Sequence, residues 1–252
     1  MSNFENTGAR IPTSPPPPRT WDFAGTAFVV LIAYAIYLMA GGFAVAFIVA
    51  LQDGVATMSP AQFQDFAAQG RWQGPAIIIA SPLAIAVLWI AIRTAGRGFA
   101  EYLALNWPSR NEVVHALVVT AIIMVAESLS GFLVGSEDGT PGSFLIVKGP
   151  SGLLTLLVAV CIAVPIMEEF VVRGFMFRGW SQSFLGPTGA IVLTSIVWAM
   201  MHTQYDWFWR FWIFVSGLAL GHFRWRSNST WLTVIVHSAM NMVCFLVRGP
   251  YT

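Results

Sequence analysis

The chain has 252 residues, 56% hydrophobic and only 10% charged, with a mean hydropathy of +0.68, whereas soluble domains carry charge on about a quarter of their residues. That balance excludes an ordinary water-soluble globule and makes membrane lipid the main solvent. A formal net charge of +1 and a pI near 7.9 leave no basic surface for nucleic acid and no acidic tail.

The first residues, 1–20, hold the run Pro15 to Pro18 among Ser, Thr and Asn, a composition that favours an extended, solvated tail over a helix. The tail is therefore expected to be a disordered, Pro-rich cytoplasmic segment, followed by a single transmembrane domain over 21–252. Crossing the hydrocarbon core takes roughly 20 apolar residues, and seven segments qualify or nearly qualify: 23–51, 75–92, 113–134, 152–177, 189–202, 207–223 and 230–247. The expectation is an all-α polytopic bundle of about seven spans, the fifth of them short enough to be tilted or re-entrant. Cys161 and Cys244 both fall inside these apolar runs and read as packing residues rather than a disulfide.

Lys and Arg are retained on the cytoplasmic side more strongly than acids are. With the amino terminus inside, Arg10, Arg19, Arg93, Arg97, Arg110, Arg173, Arg178, Arg224 and Arg226 fall on the cytoplasmic half, leaving Arg71, Lys148, Arg210 and Arg248 outside. Nine of the 13 cations then lie inside, which favours a cytoplasmic amino terminus in the plasma (inner) membrane. Trp107, Trp180, Trp225 and Trp231 mark the inner interface, and Trp72, Trp207 and Trp209 the outer one. Between the second and third spans, 99–107 is too short to cross and suits a helix lying at the inner interface.

An ionisable side chain at the bilayer centre costs on the order of 2.5 to 3.5 kcal/mol even on the lenient insertion scale, so each one inside a span calls for a partner. The fourth span reads V-P-I-M-E-E-F-V-V-R. Glu169 and Arg173 are four apart, share a helical face and have the favourable order for an ion pair; Glu168 is rotated about 100° away and lacks that partner. Pro165 cannot donate a backbone bond, and the kink it makes opens room beside the carboxylates. On the fifth span Trp198 and His202 share a face, as do His237 and Asn241 on the last. Each pair read alone is equally well a structural salt bridge or interhelical glue.

Together these groups suit hydrolysis without a covalent intermediate. A carboxylate and an imidazole orient and deprotonate water, and two further donors hold the oxyanion of a tetrahedral intermediate. No Ser, His and Asp set is evident, nor an H-E-x-x-H or C-x-x-C motif; zinc held by the glutamates and histidines is the metal-dependent alternative. Three ordered motifs, Glu168-Glu169-x-x-x-Arg173, Trp198-x-x-x-His202 and His237-x-x-x-Asn241, resemble the pattern E-E-x-x-x-R, F-x-x-x-H, H-x-x-x-N of the CPBP (Abi) family of intramembrane glutamic endopeptidases, which includes the type II CAAX prenyl endopeptidase.

The resemblance spans roughly 153–246, with the protease-like core at about 152–247, and departs from the pattern at Trp198, an aromatic exchange expected to alter packing around His202 more than chemistry. It implies that Glu168 and His202 activate water, that His237 and Asn241 form the oxyanion hole, that Glu169 and Arg173 support the site, and that no cofactor is needed. It further implies a peptide or lipidated protein as substrate, of CAAX-like, bacteriocin-precursor or pheromone-precursor type. A non-enzymatic immunity or scaffold protein of the same fold is the alternative from another class. Glu127 in the third span is unexplained by the resemblance; it is expected either to line the cavity or to pair with a hydroxyl such as that of Ser130, about one turn on. His222 reads as structural, within a small-residue helix, G-L-A-L-G.

Overall fold

The computed structural model describes residues 21–52, 55–136, 147 and 149–248. The proposed tail, Lys148 and the extreme carboxyl terminus lie outside the described residues. Those described form an all-α polytopic bundle with no strand among them.

Helix α1 (Phe23–Ala50) starts where the Asp22 side chain accepts a hydrogen bond from the Gly25 N–H, an N-cap that satisfies one orphan donor. It is apolar on every side, as suits a helix facing lipid on one flank and protein on the other, and it packs extensively along α3 (Gly70–Thr94). The short α2 (Pro60–Ala67) between them is set by a capping box of Ser59 and Gln62. A second capping box, Ser109 with Glu112, opens α5 (Arg110–Val134), and Gly135 at φ 64° closes it in the left-handed conformation glycine tolerates.

The fourth long element, Gly149–Ser181, is not one uniform helix. It runs as α6 (Gly149–Val158), a π-helical stretch Ala159–Ala163, α7 (Val164–Glu169), a second π stretch Phe170–Met176, and α8 (Phe177–Ser181). The sequence explains the first wide turn. The Val164 N–H bonds Ala159 O, five residues back; in that register the donor for Val160 O would be residue 165, which is proline and has none. The kink expected from Pro165 thus takes the form of a widened helix, and the two carboxylates close α7 between two π stretches.

Helices α9 (Gly186–Met201), α10 (Trp207–Ser227) and α11 (Thr230–Arg248) complete the bundle. Small residues let α9 and α10 approach closely: a β-carbon at Gly217 would lie 2.9 Å from Ser195, and one at Gly221 2.9 Å from Ile191, as expected of a small-xxx-small face. Five helices, Phe23–Ala50, Gly70–Thr94, Arg110–Val134, Gly149–Ser181 and Thr230–Val247, are long and apolar enough to cross a membrane. Of the two further spans expected, α9 has 16 residues, or about 24 Å of rise, and α10 is 21 residues long but carries Arg210, Arg224 and Arg226.

The expected interfacial helix at 99–107 is corrected. Only Phe99–Tyr102 is helical (α4), and Tyr102 and Leu103 are fully buried. The next residues are tied to the α10–α11 turn: Asn106 Nδ2 donates to Asn228 O at 2.8 Å, and the Thr230 and Ser229 hydroxyls donate to Leu103 O and Asn106 O. Once those bonds are available, docking the segment buries Tyr102 and Leu103 completely while Trp107 stays exposed.

Candidate active site

The widened helix delivers Glu168 and Glu169 into different surroundings. Glu169 is completely buried, and its Oε1 accepts from Arg173 Nη1 at 2.9 Å and from His237 Nδ1 at 2.9 Å. This is a three-member cluster from α7, its following turn and α11, and it leaves Glu169 no reach into open space. Arg173 is itself 1% exposed and also reaches Gly217 O on α10 at 3.5 Å. Its backbone carbonyl accepts from Arg224 at 3.1 Å, and Arg224, counted from sequence among the cytoplasmic-side cations, is itself buried.

Glu168 instead lines a cavity of about 170 Å³ together with Tyr34 and Tyr37 of α1, Trp198 and His202 at the end of α9, and Ala84 of α3. Trp198 Nε1 donates to Glu168 Oε2 at 2.6 Å. The same indole stands edge-on to His202, with centroids 5.1 Å apart, and to His237 at 5.4 Å, while the Arg173 guanidinium lies over its ring at 4.3 Å. Beyond the packing change expected at this position, the tryptophan supplies a donor that phenylalanine lacks.

Backbone contacts fix the tautomer of His202. Its Nδ1 sits 2.7 Å from Trp198 O, and a carbonyl only accepts, so Nδ1 carries the proton and Nε2 of the neutral ring keeps a lone pair. His237 follows the same logic. With Nδ1–H given to the Glu169 carboxylate, its Nε2 is an acceptor in the neutral ring and a donor only in the imidazolium.

The six residues singled out from sequence are thus split by the fold. Glu168 and His202 share the cavity, Glu169, Arg173 and His237 form the dry cluster behind it, and Trp198 touches both groups. Asn241 is engaged elsewhere: its Nδ2 donates to Val160 O at 2.7 Å, the carbonyl whose backbone donor Pro165 removes. The Ser130 hydroxyl donates to the Glu127 backbone carbonyl at 2.8 Å. Among the described residues no three His, Cys, Asp or Glu side chains form a metal-ligand group. Tyr34 and Tyr37 were not singled out beforehand, since they lie on α1, outside every motif, and two tyrosines in an apolar span look like packing until the helix is docked.

Residues 150–243, from the start of α6 into α11, match the family model described as type II CAAX prenyl endopeptidase Rce1-like. That match supports a CPBP/CAAX protease family assignment for this segment of the chain. Searches of curated proteins and of solved structures give no match. The match contains all three motifs and both π stretches, but not α1 or α3, which supply the far wall of the cavity. Together with the long apolar helices, the match supports an integral membrane protein.

Proposed function

We propose that this CAAX-type protein is a membrane endopeptidase in which Glu168 and His202 activate water against a peptide carbonyl. The observation that carries the reading is their meeting, from two helices, in one cavity, with the carboxylate held by an N–H and the imidazole held with its lone-pair nitrogen unspent. Glu168 takes one proton of the water as its oxygen adds to the carbonyl carbon. His202 Nε2 accepts a hydrogen bond from the other O–H and orients the attack. The tetrahedral intermediate then collapses, the C–N bond breaks, and the proton held by Glu168 passes to the leaving nitrogen.

His237 and Asn241 are proposed as donors to the oxyanion, with Glu169 and Arg173 in support. For His237 this requires the imidazolium form; for Asn241 it uses the amide N–H not given to Val160 O. We place the amino terminus in the cytoplasm, the whole of 21–252 in one transmembrane domain, and the chain in the plasma (inner) membrane. The substrate is proposed to be a lipidated or CAAX-like peptide presented from the bilayer.

The test is cleavage of a lipidated peptide library by purified protein in proteoliposomes, with Glu168→Ala as control. Wild-type cleavage that survives exhaustive chelation and disappears in Glu168→Ala is expected. Cleavage abolished by chelation and restored by one specific divalent ion would establish the metal-dependent reading. No cleavage of any lipidated peptide would favour the immunity or scaffold reading.

A further inference from the structure

Among the described residues, the one hydrogen-bond partner of the Glu168 carboxylate is the indole N–H of Trp198, at 2.6 Å. A carboxylate that acts as a base must be ionised, and a hydrogen bond donated to the charged form favours that form. The nearest cation is already committed: Arg173 Nη1 bonds Glu169 Oε1 at 2.9 Å. That guanidinium nevertheless lies 4.3 Å from the centre of the Trp198 ring, and the ring is 3% exposed. A cation over an indole face draws electron density from the ring, and hydrogen-bonded groups polarise one another cooperatively, so the N–H becomes a stronger donor.

We propose that Trp198 is a positioning residue that relays the charge of Arg173 to Glu168, holding its Oε2 through the indole N–H, a bond that a charged carboxylate gains most from. This rests on the reading of Glu168 as the water-activating base. The other charged or titratable groups around Glu168 are Tyr34 and Tyr37 on α1, His202 on α9, Glu169 and Arg173 on its own helix, and His237 on α11; α3 contributes Ala84. None of them donates a hydrogen bond to Glu168 among the described residues; the Trp198 indole N–H is the one donor in contact with it.

The test must separate the N–H from the ring. Replacing Trp198 by its benzothienyl isostere, in which sulfur stands for N–H, preserves shape and the cation contact while deleting the donor; Trp198→Phe deletes the donor and part of the ring. Two readouts apply: the infrared carboxyl band of Glu168, assigned by its loss in Glu168→Gln and titrated with pH, and the acid limb of the pH profile of kcat/KM. Both midpoints should rise by about one pH unit in the isostere, roughly a tenfold change in proton affinity, as expected for one hydrogen bond to a charged group. Trp198→Phe should show at least the same shift.

An isostere with both midpoints at the wild-type pH overturns the proposal, even if Trp198→Phe is inactive, because the ring alone would then be needed. The underlying reading fails separately. If Glu168→Gln retains wild-type cleavage, Glu168 is not the base, whatever the infrared titration of its carboxyl reads.

Discussion

Adjacent in sequence, Glu168 and Glu169 differ by about 100° of helical rotation, and that rotation is enough to give one a cavity and the other a permanent cation. Their variants should fail differently. Glu169→Ala strands Arg173 and His237 among apolar side chains; breaking a buried pair commonly costs about 3 to 5 kcal/mol, so a lower melting temperature and poor yield in detergent are expected before any kinetic defect. A Glu169→Ala protein that is stable and inactive, beside an active Glu168→Ala, would invert the two roles. Asn241→Ala should reduce turnover by about 10² to 10³ if its free N–H serves the oxyanion. It should also cost about 1 to 3 kcal/mol because Val160 O loses its donor, and kinetics paired with thermal unfolding read both effects. The pairing of Glu169 with Arg173 was legible from spacing alone. The bond from Asn241 to Val160 was not, because it depends on a backbone carbonyl freed only once the helix widens.

Two helical elements set the depth and aim of the site. The first π stretch exists because Pro165 cannot donate, and it rotates everything that follows it. In Pro165→Ala the restored N–H allows α-helical closure that turns Glu168 away from the cavity; a misplacement of about 1 Å can cost 10²-fold, so the expected outcome is a folded protein with activity lower by about that factor. Unchanged activity would show that the widened turn does not aim the carboxylate. Sequence made a kink predictable here but not its form, since a proline alone does not say whether a helix bends or widens.

At the membrane edge, Glu101 on α4 accepts from Arg97 and from Arg178 at 3.2 Å, and chiefly the Arg97 bond holds its carboxyl below the ordinary 4.5. A depressed folded-state value stabilises the fold above the unfolded value and ceases to do so as pH falls through the lowered one. Melting temperature should therefore drop slightly as pH falls below about 4.5, and Glu101→Gln should flatten that slope. The group is half-exposed, so the effect stays under about 1 kcal/mol.

At the scale of the molecule, composition alone made the all-α membrane fold legible, because the spans are written as long apolar runs. What it left open is how α1 and α3 close over the family-like half, since apolar helices carry little record of which neighbour they choose. Orientation rests on the arginine asymmetry. With Cys161 and Cys244 replaced, single cysteines at positions 97 and 226 should be labelled from the cytoplasmic side and one at 148 from the other; labelling of all three from one side would overturn the arrangement. Glu168 and His202, brought together from separate helices, are proposed to act as one unit on a single water. A double-mutant cycle decides this, because groups that act together are non-additive when removed. Kinetics of Glu168→Gln, His202→Ala and the double variant on one cleavable lipidated peptide should show His202→Ala down by about 10² to 10⁴ and the double variant no slower than Glu168→Gln alone. Losses that multiply in the double variant would contradict the account.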